Sequence, residues 1–122
     1  MSKAEGPALK VVGDTITPEE LLDAKLLEAH AAHKAAIGYV IDGQPVVFRK
    51  PTRAELKAMQ RDVAADNADV MACCERFVLT CAYYPEASAM RLILDEYPSL
   101  SEDATVRLKK LTLPEFAAKK IV

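Results

Sequence analysis

Apolar positions change their period twice along the chain, and the changes mark the elements. Residues 1–16 are polar, with Gly and Pro and one short apolar patch at Leu9–Val12, and read as an arm with one extended stretch. Thr17-Pro18-Glu19-Glu20 then has the form of a helix start. Thr17 can cap, Pro18 stands where a missing N–H costs nothing, and Glu20 completes a capping box. Strong helix formers follow to about Ala36, with Leu22, Leu26, Ala29, His33 and Ala36 along one face. Gly38 breaks this pattern. Ile37–Ile41 and Val46–Arg49 are rich in β-formers and flank Asp42-Gly43, which predicts a hairpin over about 37–49. Pro45 lacks a donor, so the second arm should start ragged or lie at an edge. A lone hairpin is marginal in water and must pack on helices or join another subunit's sheet.

Thr52-Arg53-Ala54-Glu55 is a second capping box, directly after Pro51. Beyond it Leu56, Val63, Val70, Phe77 and Tyr84 recur every seven residues, with Met59, Cys73 and Thr80 in a companion series. That companion series is interrupted by Asp66, within Asp66-Asn67-Ala68-Asp69, which predicts two helices or one bent helix with its weak point near 65–69. Tyr83-Tyr84-Pro85 ends the stretch. Glu86–Tyr97 predicts another helix, with Ala87, Met90, Leu94 and Tyr97 on one stripe and Pro98 as its stop. Ser99 or Ser101 should cap the next helix, which is acidic at its start and basic at its end, as the helix dipole favours. Thr112-Leu113-Pro114-Glu115 opens a short tail helix through Phe116 to Lys120. The expected fold is α+β, mainly α: a hairpin packed with four to five helices, as a single domain over 17–122 behind the arm of 1–16.

At 122 residues, 51% apolar and 28% charged, the chain has the composition of a globular domain. No apolar run approaches the roughly 18 residues of a membrane span, and the first residues lack a signal-peptide core. The net charge of −2 argues against a dedicated nucleic-acid binder. Its distribution is uneven: +1 over 1–61, −7 over 62–103 and +4 over 104–122. Such a chain can pair its tail with its own middle or with another subunit's; an acidic wet face beside a basic helix end has the same signature. Cys73, Cys74 and Cys81 make a poor disulfide framework and read as reduced thiols filling the core.

Motifs that carry chemistry are scarce. His30 and His33 stand three apart on a helix, without the His-Glu-x-x-His spacing of catalytic zinc helices or a Cys-x-x-Cys knuckle. The expectation is His33 partly covered, His30 wet and no metal. Cys81, read as mid-helix among apolar residues, should have a raised pKa rather than a nucleophile's lowered one. Four glycines form no phosphate-cradling loop, and the adjacent acids Asp95-Glu96 and Glu102-Asp103 diverge on a helix. We therefore expect neither enzyme nor cofactor. Arg53, Lys57 and Arg61 follow one another at i, i+4 and i+8, with Arg49 and Lys50 just before. This row could meet phosphates or an acidic partner, or be simply the wet side of an amphipathic helix, and Glu55 and Asp62 dilute its field. Tyr83 and Tyr97 suit half-burial at a boundary or a contact. Arg49, Arg53, Lys57, Arg61, Tyr83 and Tyr97 are the candidate partner-binding residues.

Val46-Val47-Phe48-Arg49-Lys50-Pro51-Thr52-Arg53-Ala54-Glu55-Leu56 runs strand, basic pair, proline, capped helix. About 30 residues later come Tyr84-Pro85-Glu86 and then Leu94-Asp95-Glu96-Tyr97-Pro98-Ser99-Leu100. This order resembles the small tail assembly chaperones encoded by long-tailed bacteriophages and prophages, over roughly residues 44–111. The resemblance implies a non-catalytic factor in the host bacterial cytoplasm. Such a factor binds the tape-measure protein, keeps its hydrophobic helices soluble and helps recruit tail-tube subunits. It supplies no catalytic residues. A tail or head-completion protein retained in the particle, its hairpin pairing with a neighbouring subunit's sheet, is the second expectation, and a small regulatory or nucleic-acid-binding protein the third.

Overall fold

The computed structural model describes residues 10–11 and 14–114. Leu9, Val12 and the tail helix expected over Phe116–Lys120 lie outside the described residues. Two short strands, β1 (Lys10–Val11) and β2 (Asp14–Thr15), pair antiparallel before the first helix. The remainder is α1 (Pro18–His33), β3 (Ala36–Ile41), β4 (Gln44–Arg49), α2 (Arg53–Ala64), α3 (Val70–Thr80), β5 (Ala82–Tyr84), α4 (Ala87–Glu96) and α5 (Ser99–Lys110). This is the mainly helical α+β fold that the patterning predicts.

Both capping boxes form. The Thr17 hydroxyl accepts from the Glu20 amide at 3.1 Å, and the Glu20 carboxylate accepts from the Thr17 amide at 2.9 Å. Thr52 and Glu55 repeat the exchange at 3.2 and 2.8 Å. The first helix ends earlier than expected. Lys34 adopts φ 78° and donates its N–H to the His30 carbonyl at 2.7 Å, so the helix stops at His33 and Ala36 already pairs with Arg49. His33, expected to be partly covered, is exposed as a result, while Ala29 is the buried residue of α1.

The hairpin turns through Asp42 (φ 51°) and Gly43 (φ 78°), the left-handed pair that a two-residue connection demands. Pro45 sits opposite Val40, one step from the turn-closing pair Ile41 and Gln44. Because ladder bonds alternate from side to side, its missing donor points away from β3. There β5 reaches only Val47 and Phe48, so nothing is lost. The third strand is a correction to the sequence reading, which placed Tyr84 on a continuing helix. Sheet order is β3-β4-β5, all antiparallel, with β4 in the centre.

Val46, Val47 and Phe48 are all fully buried, so β4 is covered on both faces. Val46 and Phe48 enter the main core with Met59, Phe77, Val78, Cys81, Met90, Leu94 and Leu108. Val47 points the other way, to the face against which α1 packs. A Cβ on Gly38 would come within 2.6 Å of a Leu22 methyl, so this glycine lets α1 lie directly on β3. On the other face α3 is the hub, with α2, α4 and α5 all packed against it.

Several finer expectations change. The weak point at 65–69 is a true break, and Asp69 caps α3 by accepting from the Ala72 amide at 3.1 Å. Neither Ser99 nor Ser101 caps α5. Pro98 takes that position without a side-chain cap, and the Ser101 hydroxyl instead donates to the Pro98 carbonyl at 3.0 Å. Ala87, at the first position of α4, is exposed while Met90 and Leu94 of its stripe are buried. Cys81 is not mid-helix but closes α3, buried, with its carbonyl accepting from the Arg49 amide at 2.8 Å.

Candidate functional site

Helix α2 has two shoulders, and the structure treats them differently. Its inner face carries Leu56, Met59 and Val63 toward the core. On one shoulder Glu55, Ala58 and Asp62 look across a hollow of about 220 Å³ at Cys73, Arg76 and Thr80 of α3. This side is tied by charge. The Glu55 carboxylate accepts a two-pronged contact from Arg49 at 2.7 and 2.8 Å while still capping α2. Arg49 also donates to the Thr80 carbonyl at 2.9 Å, satisfying an acceptor at the end of α3. One guanidinium thus joins β4, the start of α2 and the end of α3. Hydrogen bonding from Arg49 holds the Glu55 carboxyl at about 2, well below its usual range. Further along, Arg76 faces Asp62 at 3.6 Å.

The other shoulder is open. Helices α2 and α5 both pack on α3 and scarcely touch each other, which leaves a gap above α3. It encloses about 440 Å³, within the size range of ligand and helix-docking clefts. Met59 and Val63 of α2, Val70 and Cys74 of α3, and Thr105 and Val106 of α5 form its floor and walls. Val70 is 49% exposed and Val106 52% exposed. The seven-residue series predicted Val70 to be buried, and the structure corrects this. Nothing among the described residues covers it, because α5 lies too far from α2 to close the gap.

Arg53, Lys57 and Arg61 are all exposed. Gln60 and Ala64 line the gap, and Arg53, Lys57, Gln60 and Ala64 succeed one another at helical spacing on one face. None of the three basic residues lines the gap itself. Among the described residues none of the three is in an ion pair. The acids expected to dilute their field, Glu55 and Asp62, sit on the opposite shoulder and are engaged with Arg49 and Arg76. Arg49 stands apart from the row it precedes in sequence.

The tyrosines lie elsewhere. Tyr83, half-buried on β5, donates to Glu28 of α1 at 3.3 Å, and its ring meets the edge of His33 at 6.0 Å. Tyr84, also on β5, lies beneath the Lys25 ammonium at 4.9 Å. Tyr97 donates to Asp42, linking the end of α4 to the hairpin turn. These contacts join elements of the fold, and neither Tyr83 nor Tyr97 borders the gap.

A broader hollow of about 680 Å³ separates β3 from α5. Its charges satisfy one another: Asp103 accepts from the Tyr39 hydroxyl and from Arg107 Nε, both at 2.7 Å. Burial raises the Tyr39 phenol above its ordinary value, and the hydrogen bond from Tyr39 lowers the Asp103 carboxyl. Burial also pushes the Cys81 thiol up to about 12, the wrong direction for a nucleophile. Among the described residues no three His, Cys, Asp or Glu side chains converge in a metal-holding group. Comparison with protein-family models, curated proteins and solved structures finds no match.

Sequence reasoning singled out the basic row and missed the apolar wall of the gap. Val70 and Val106 carried no distinguishing signal, since a valine at a core-facing position looks the same whether or not a neighbouring helix arrives to cover it.

Proposed function

We propose that this chain is a non-catalytic assembly factor that holds an apolar helix of another polypeptide. The observation that carries the reading is the gap between α2 and α5 over α3, which no described residue covers. An amphipathic helix docks on such a surface through spaced apolar anchors. Together with the resemblance over residues 44–111, this supports a tail assembly chaperone working in the host bacterial cytoplasm. The tape-measure protein is then the helical client, and tail-tube subunits are recruited to the complex.

Co-expression with a tape-measure polypeptide tests the reading. The client is expected in the soluble fraction only when this chain is present, and the chain is expected to be absent from purified particles by mass spectrometry. A client that aggregates equally with and without the chain would sink it. The second reading, a component retained in the particle, is favoured by one observation: β3 has an outer edge with no strand neighbour among the described residues. Stoichiometric recovery from purified particles would establish that alternative instead.

A further inference from the structure

We propose that two copies of this chain join through the outer edge of β3, antiparallel about a two-fold axis at Gly38, so that their sheets become one. Such pairing is independent of what fills the α2–α5 gap. β3 ends the sheet, and no described strand lies beyond it. With Ile41 and Gln44 closing the turn, alternation of the ladder points the backbone groups of Ile37, Tyr39 and Ile41 at β4. The bond from the Lys50 amide to the Ala35 carbonyl keeps the same alternation. Those of Ala36, Gly38 and Val40 therefore point outward. The strand carries no charge, proline or bulge of the kind that blunts an edge. Three outward residues spaced by two match a second copy fully in one register. Gly38 meets Gly38, Ala36 meets Val40 of the second copy, and every outward donor and acceptor is used.

The helix beside this edge fits the same partner. α1 packs over both β3 and β4 and turns Lys25 and Glu28 toward the tyrosines of β5. Leu27 lies about 200° round the helix from Lys25, so it leans over the outer edge of β3, where it is 73% exposed. Its neighbour Leu26 has methyls 3.2 Å from where a Cβ on Gly38 would stand, which sets Leu27 level with the axis. With strands about 4.8 Å apart, the two α1 helices come to lie about 10 Å apart, a helix-packing distance. The two Leu27 side chains then cover each other.

Charge selects a second copy in this direction. α5 starts beside the hairpin turn, where Tyr97 meets Asp42, and passes Tyr39 at Asp103. It thus carries Lys110 to the Ala36 end, along the hollow that Ile37 and Gly38 line, and Lys34 precedes that end of β3. Arg107 in the same hollow is paired with Asp103. At the Ile41 end the Tyr97 phenol is raised by its hydrogen bond to Asp42 and further by the charge of Glu96, so both acids stand there. Antiparallel pairing sets the lysines of each copy toward the acids of the other. Parallel pairing would set like against like.

Sedimentation equilibrium of the full chain tests the pairing. The mass should rise with concentration from 13.3 kDa to twice that value and no further. Leu27→Glu places two carboxylates across the axis and should weaken association at least about tenfold. K34E/K110E should weaken it about tenfold at low salt, with the difference closing as salt is added. Val40→Pro removes an outward donor and should give a monomer. Should it fail to fold by circular dichroism, Leu27→Glu, on an exposed helix face, decides. Leu27→Cys should yield a disulfide-linked dimer on mild oxidation, since the three native thiols are buried. A chain that stays monomeric at its highest soluble concentration would overturn the proposal, as would a dimer unchanged by both Leu27→Glu and Val40→Pro. Protection of the Gly38 and Val40 amides from exchange in a monomer would show the edge taken by the chain's own residues instead. A monomer that uses the edge only with a different polypeptide would overturn it equally.

Discussion

The two shoulders of α2 share a helix and a capping box, yet one is tied by ion pairs, the sealed side, and the other is open. On the first side Glu55 and Asp62 find Arg49 and Arg76 across a smaller hollow of about 220 Å³, with Phe77 buried beneath it. On the open side no described residue covers the apolar wall. The difference lies in where α5 runs. It crosses α3 and comes close to β3 and β4 but not to α2, so one flank of α3 is packed and the other is available. Charge on the sealed shoulder is a structural fastening.

The largest effect that should break this contrast is Phe77→Ala on the sealed side. Removing a buried aromatic should cost about 3–5 kcal/mol by denaturant unfolding, whereas Val106→Ala on the open side should change stability by no more than about 0.5 kcal/mol. A ratio near one would mean that the gap is as well packed as the core.

Glu55→Gln comes next. It removes a charge pair whose carboxylate is also the helix cap, and should cost about 2 kcal/mol at neutral pH. The pH dependence has a definite sign. Because the folded Glu55 carboxyl sits at about 2 against an ordinary 4.5, its stabilisation is complete above 4.5 and is lost as the pH falls through 2. Acid titration of the unfolding free energy should be visibly flatter in that window for Glu55→Gln. Asp103, also lowered, keeps some of the slope.

Gly38→Ala tests the layer on the far side of the sheet. Leu22 would have to shift by a methyl's width, at a cost of about 1 kcal/mol in thermal or chemical unfolding. The smallest effects should come from the surface charges. Arg76→Ala should lower stability by less than about 1 kcal/mol because its pair with Asp62 is exposed. Lys57→Glu should leave stability within about 0.5 kcal/mol by denaturant unfolding. A large stability loss from Lys57→Glu would show that Lys57 has a structural partner after all.

Much of the fold could be read from local pattern. Thr17/Glu20, Thr52/Glu55 and Asp42-Gly43 each carry their instruction within four residues, and each forms as written. The failures share a cause. Tyr84 continued a seven-residue series and yet lies on β5, because pairing with Val47 outweighed helical periodicity. His33 and Ala36 lay on a helical stripe, but pairing of Ala36 with Arg49 ended the helix first. Of the candidate partner-binding residues, Arg53, Lys57 and Arg61 are exposed on α2 and none of them lines the gap. Arg49 serves as a fastening, and Tyr83 and Tyr97 hold α1 and the hairpin turn.

The sequence by itself determined where helices begin, where the hairpin turns and which side chains are apolar enough to seek cover, since caps, turn dihedrals and periodicity act between near neighbours. Tertiary structure alone decided which of those side chains found cover. Whether Val70 and Val106 end in a core or on an open wall depends on the path of α5 across α3. The pairing of Glu55 with Arg49 and of Asp62 with Arg76 depends in turn on how α2 meets β4 and α3. Packing between distant segments is a property of the assembled layers, and no stretch of chain carries it locally.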